Sequence, residues 1–137
     1  MLFRSRESPF GILPIWQEQG IETWCMIGYH AVPEIADAYV KGMRGFDADE
    51  ALRAVVASAT YGPYGSLDEY MRLGYVPVDR DDEAASKTVE YAFDDWTIAQ
   101  VAKAMGREDV AARFSQRAGN WRNVFDEKTG LDRKSVV

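Results

Sequence analysis

Thiol and imidazole chemistry are nearly missing from this chain: among 137 residues there is one cysteine, Cys25, and one histidine, His30. A single cysteine excludes an intrachain disulfide and any site of several thiolates, and one histidine cannot build a zinc centre. A serine hydrolase would have to use His30 as its base, yet no serine stands in a Gly-x-Ser-x-Gly elbow. The glycines are isolated helix stops, with neither a phosphate-cradling loop nor a dinucleotide fingerprint, so nucleotide chemistry is not expected. Positive charge is scarce too. Sixteen Lys and Arg face twenty-two Asp and Glu, a net charge of -6, which disfavours nucleic acid and anionic lipid as partners. No stretch approaches the ~18 apolar residues that cross a membrane. The opening MLFRSRESPFG lacks the apolar core of a secretory signal, and the compartment is not legible from this chain. Cys25 lies in an apolar run and is expected to be a buried, unreactive thiol.

Aromatic residues, by contrast, make up 12% of the chain, including four Trp and seven Tyr, a high share for a helical protein. The pattern along the chain is helical, with no strand-period segment of convincing length. Residues 1–20 hold Pro9, Gly11, Pro14 and Gly20 and form an irregular arm with an apolar cluster of Ile12, Leu13, Ile15 and Trp16. A helical stripe then runs from Glu22 to Lys41 through Met26, Tyr29, His30, Pro33, Ala36 and Val40, with a kink or break expected at Pro33. At FDADE, Asp47 as N-cap and Glu50 three residues later form a capping box, with Phe46 as its staple. A second box is expected at Ser66 to Glu69, opening a short helix that Gly74 closes. The longest helix spans about Glu83 to Met105, with Val89, Phe93, Trp96, Ile98, Val101 and Ala104 on its apolar face. A last helix runs from about Glu108 to Phe125 on Val110, Phe114, Ala118, Trp121 and Phe125, and residues 132–137 read as frayed. The fold class is therefore all-α, built of antiparallel helical hairpins over residues 21–131.

Two segments are dense in aromatic rings, carboxylates and amides: GIETWCMIGYH at 20–30 and SKTVEYAFDDW at 86–96. Such parts suit a sugar, because Trp and Tyr rings stack on the C–H faces of a pyranose while carboxylates bind its hydroxyls. Glu90 and Asp94, four residues apart, share a helix face and repel unless a cation or a proton intervenes. That leaves two readings open, a functional pair and a solvated one in which Lys87 neutralises Glu90 and Asp95 faces water. His30 sits on the same expected face as Met26 and Pro33, where a hydrogen-bonded structural histidine competes with a substrate contact.

The stretch LPIWQEQGIETWCMIGYHAVPEIADAYVKG at 13–42 closely resembles glycoside hydrolase family 92, the calcium-dependent exo-α-mannosidases. GFDADEAL at 45–52, YGSLDEYMRLGYVP at 64–77, SKTVEYAFDDWTIAQVAKAMG at 86–106 and NVFDEKTG at 123–130 resemble successive family segments in order. The resemblance implies part of an (α/α)6 barrel and a parent enzyme that removes terminal α-linked mannose, α-1,2-linked above all, from glycans by calcium-assisted inversion. It also implies export of the parent. The family's acid, base and calcium segments come later in its sequence and have no counterpart here, so no catalytic residue and no metal ligand is assigned. Calcium is expected to bind the full-length family and not this chain alone. Ile21 stands where the family usually carries Asn before the glutamate. Glu22, Thr23, Trp24, His30, Glu90, Tyr91 and Asp94 carry over as residues lining a substrate pocket. An incomplete barrel leaves an apolar flank, so the partner is either a second copy of the chain or the remainder of the catalytic domain. The rival function is a stand-alone helical interaction module that oligomerises through that flank.

Overall fold

Five α-helices carry the fold in a computed structural model that describes residues 10–132. They are α1 (Ala31–Val40), α2 (Ala48–Ser58), α3 (Leu67–Leu73), α4 (Ala84–Ala104) and α5 (Glu108–Ala118), the last extended by a 3-10 turn at Gly119–Asn123. Two tiny antiparallel hairpins flank them. In one, β1 (Gln17–Glu18) pairs with β2 (Ile21–Glu22), Gln17 opposite Glu22; in the other, β3 (Phe125–Asp126) pairs with β4 (Leu131–Asp132). Strands of two residues are too short to leave an alternating pattern, which is why the sequence shows none.

The all-α architecture rests on α4, which packs most closely on α5 and α1 and also meets α2. Val32 of α1, Val55 of α2, Leu67 and Tyr70 of α3, Tyr91 and Ile98 of α4 and Phe114 of α5 are fully buried in one core. Each such aliphatic side chain contributes about 1.5–3 kcal/mol by leaving water. Ile12 and Leu13 from the arm join the buried set, and the Leu13 N–H donates to Ser58 Oγ at 2.9 Å, so the arm is fastened across the end of α2. Ile15 packs against the core from its edge, whereas Trp16 is half exposed. The parts of the expected arm at 1–9 and of the expected frayed end at 133–137 lie outside the described residues.

Several local expectations are corrected. The helix expected from Glu22 begins only at Ala31, because Pro33 belongs to its first turn, where the missing N–H has no helical partner to lose. Residues 23–30 are therefore irregular, and His30 precedes the helix instead of lying midway along it. Asp47 caps α2 as expected, its side chain accepting the Glu50 N–H at 2.9 Å. Ser66 does not cap α3: it takes a left-handed conformation, φ 59°, and makes no side-chain cap bond. On α4 only Ile98 and Val101 of the expected apolar face are buried, while Val89, Phe93 and Trp96 are 40–51% exposed and Ala104 also faces out. Two aspartates, Asp94 and Asp95, take the buried positions instead. α5 stops at Ala118, leaving Trp121 and Phe125 partly exposed and in edge contact with each other. Cys25 is exposed rather than buried, since its segment is loop and not helix.

Candidate functional site

The two polar and aromatic segments meet. His30, immediately before α1, places its Nε2 3.3 Å from Oε2 of Glu90 on α4, sixty positions later in sequence. Both side chains remain about a third exposed, 32% and 35%, so the pair is formed yet open to a ligand. Lys87 does not neutralise Glu90; it is committed to Asp81 at 2.6 Å and Glu83 at 3.6 Å.

Asp94 lies one turn beyond Glu90 and is wholly buried. Its Oδ2 accepts the backbone N–H of Tyr29 at 2.9 Å, while Oδ1 is buried with no partner. Burial raises its pKa from 3.8 to about 8; the Tyr29 N–H opposes this and the charges of Glu90 and Asp95 add to it. Burial thus favours the protonated form of Asp94 near neutral pH, and Oδ1 is the oxygen with no other hydrogen-bond partner. That settles the repulsion anticipated for the pair, since one carboxyl is neutral and the other faces an imidazole.

Gly28 makes the arrangement sterically feasible. A Cβ there would stand 2.8 Å from His30 Nε2 and 2.9 Å from Asp94 Oδ2, closer than real side chains come. Its carbonyl accepts the Tyr64 hydroxyl at 3.2 Å, and the same hydroxyl reaches the Met26 carbonyl. Tyr91 is a wall behind the site. Fully buried, it stacks on Tyr29 with ring centres 5.3 Å apart and donates its hydroxyl to the Gly65 carbonyl at 2.9 Å.

The remaining expected residues divide by role. Glu22 turns inward on its own loop, accepting backbone N–H groups of Ile15 at 2.8 Å, Trp16 at 2.9 Å and Thr23 at 3.0 Å. Thr23 donates its hydroxyl to the Trp16 carbonyl at 2.7 Å and lies 3.1 Å from the Cys25 sulfur. Trp24, 39% exposed with φ 57°, rests between Phe10 and Tyr64, ring centres 5.0 and 5.8 Å away. Among the seven, His30, Glu90 and Trp24 keep exposed surface, whereas Glu22, Thr23, Tyr91 and Asp94 hold the segments in place.

Asp95, expected in one reading to face solvent, is fully buried. Its Oδ1 accepts the Tyr29 hydroxyl at 2.8 Å, and Oδ2 accepts the Tyr70 hydroxyl at 3.0 Å and Arg117 Nε at 2.8 Å. Burial raises the carboxyl's pKa, with Arg117 and the two phenols pulling against it. For Arg117 burial opposes the charge, but Asp95 and the phenols raise its pKa on balance. Sequence reading missed this centre, together with Gly28, Tyr29 and Tyr64. The one signal available was a buried-type spacing that put Asp95 beside Tyr91, Ile98 and Ala102 on α4.

A second concavity, about 750 Å³, opens between α1 and α4 and is lined by Pro33, Ala36, Val40, Phe93 and Trp96. No helix among the described residues is long and apolar enough to cross a membrane.

Comparison with known proteins bears on the fold and the family. Residues 2–135 match the glycosyl hydrolase family 92 catalytic domain. A solved family GH92 α-mannosidase of Bacteroides thetaiotaomicron is 45% identical, superposes with a TM-score of 0.90 over 98% of this chain, and was also solved in complex with mannoimidazole. A second solved enzyme of that bacterium, an inverting mannosidase, is 34% identical over 96% of the chain with a TM-score of 0.83. A protein described as an uncharacterized secreted glycosidase of Arthroderma benhamiae is 34% identical over 80% of the chain. The chain spans only 16–19% of the length of these relatives. With its helices, their order and its fold shared with solved members, the chain belongs to glycosyl hydrolase family 92 and carries part of that family's catalytic domain.

Proposed function

We propose that this chain forms one wall of the mannose pocket in an exo-acting α-mannosidase, with His30 and Glu90 contacting sugar hydroxyls and Trp24 offering a stacking face at the rim. The observation that carries this reading is the His30–Glu90 pair, held together yet a third exposed beside a buried neutral Asp94. Glu90 accepts hydroxyl protons, and with Nε2 donating to the Glu90 carboxylate the other nitrogen of a neutral imidazole is an acceptor for a second hydroxyl. Glu22 and Thr23 support the loop that bears Trp24, and Tyr91 backs Tyr29.

The parent reaction under this reading is hydrolysis of terminal α-linked mannose, α-1,2 linkages first among them, with inversion at the anomeric carbon. General acid and base groups come from outside this chain, so the chain by itself turns over no substrate. The residues here do not fit a calcium site. Among the described residues no three His, Cys, Asp or Glu cluster closely enough to hold a metal. Calcium belongs, in this account, to the remainder of the catalytic domain. Export of the parent is part of the same proposal and is supported by the relative described as secreted.

Titrating the isotope-labelled chain with mannoimidazole tests the site. The expected result is weak saturable binding, with Kd of about a millimolar, and NMR shift changes centred on the His30 ring, Glu90 and the Trp24 indole. Changes confined to the Phe93–Trp96 groove, or none at all, would refute the assignment.

A further inference from the structure

We infer that Asp95 is the positioning residue of the His30–Glu90 notch, acting through Tyr29. Two consecutive carboxyls of α4 grip this one residue at both ends. Asp94 Oδ2 holds its backbone N–H at 2.9 Å, and Asp95 Oδ1 holds its hydroxyl at 2.8 Å. Tyr29 is flanked in sequence by Gly28, whose missing Cβ admits His30 and Asp94, and by His30 itself. Fixing Tyr29 at its backbone and at its ring tip therefore fixes the turn from which His30 reaches Glu90.

Asp95 is itself over-determined. Arg117 of α5 donates Nε to it at 2.8 Å and Nη2 to the Ala59 carbonyl at 2.9 Å, at the end of α2. Tyr70 of α3 donates its hydroxyl at 3.0 Å. The carboxylate thus ties α2, α3, α4 and α5 to the turn before α1, with Asp95, Tyr29 and Tyr70 buried and only Arg117 keeping a little exposure. A buried charge is costly unless paired and fully hydrogen-bonded, and hydrophobic residues of the same volume would often stabilise a core as well. What the ionic centre adds is a single geometry, because both oxygens have assigned donors in fixed directions. Its biological consequence rests on the proposed sugar site, but its test needs no sugar.

Tyr29→Phe and Tyr70→Phe form a matched pair. Each removes one hydroxyl from Asp95, and each hydroxyl has a backbone carbonyl as its other neighbour, Tyr91 O at 3.3 Å and Arg117 O at 3.2 Å. Only the first severs the grip on the turn. Native-state hydrogen exchange is expected to show the Tyr29→Phe chain losing about tenfold more protection at the residue 29 and Val32 amides than at α4 amides such as Ile98. The nuclear Overhauser contact between the His30 ring and Glu90 disappears with it. Tyr70→Phe should lower protection equally at all these amides and keep the contact. If both variants behave alike, Asp95 is a stability element only and the inference fails. Should Tyr29→Phe not fold, the wild-type chain decides: its Tyr29 amide must open only with α4, and opening at much lower cost overturns the inference.

Discussion

Asp94 shows how one buried carboxyl can link a site to stability. Its folded pKa of about 8 lies above the unfolded value of 3.8, so between those values the folded chain holds a proton that the unfolded chain has released. Stability from this group is full below the lower value and is lost as pH rises through the upper one. Asp94→Asn keeps an oxygen to accept the Tyr29 N–H and never ionises. Thermal melts followed by circular dichroism should therefore show the wild-type Tm falling, relative to Asp94→Asn, from about pH 5 to about pH 8. Parallel curves for the two chains would mean that Asp94 ionises normally. The sequence disclosed the Glu90–Asp94 spacing and the conflict of charge within it. It could not disclose the resolution, because that depends on Gly28, Tyr29 and His30 arriving from sixty residues away.

Helix ends separate local from non-local information in the same way. The Asp47 cap was legible because every partner lies within four residues, and Asp47→Ala should cost about 1 kcal/mol in urea denaturation. At α3 the same type of motif misled. Ser66 spends its backbone on a left-handed turn beside Gly65, whose own φ is 47°, and its hydroxyl makes no cap bond. Ser66→Gly is accordingly expected to stabilise the chain by about 1 kcal/mol, the reverse of a lost cap. A fall in stability in that variant would show that the hydroxyl matters after all. The start of α1 was misplaced for a related reason: proline in a first turn and proline at a kink look alike until the hydrogen bonds are seen.

At the scale of the molecule, the hairpin architecture was legible from helix periodicity and stops, and the family from long ordered segments. The burial of α4 was not. An apolar stripe of Val89, Phe93 and Trp96 pointed inward on periodicity alone, yet Val89 is exposed and Phe93 and Trp96 line an open groove, while Asp94 and Asp95 occupy the core. A helix apolar on more than one side is suited to cover on more than one side, and this chain spans less than a fifth of its solved relatives. The central claim concerns that larger enzyme, so the direct measurement is a graft: residues 11–131 replacing the matching segment of the 45%-identical Bacteroides thetaiotaomicron α-mannosidase. The graft should hydrolyse α-mannosides, and His30→Ala or Glu90→Gln within it should each lower kcat/KM by about 10–100-fold, the worth of a hydrogen bond to a charged group. A folded graft without activity, or an active one indifferent to both substitutions, would contradict the account.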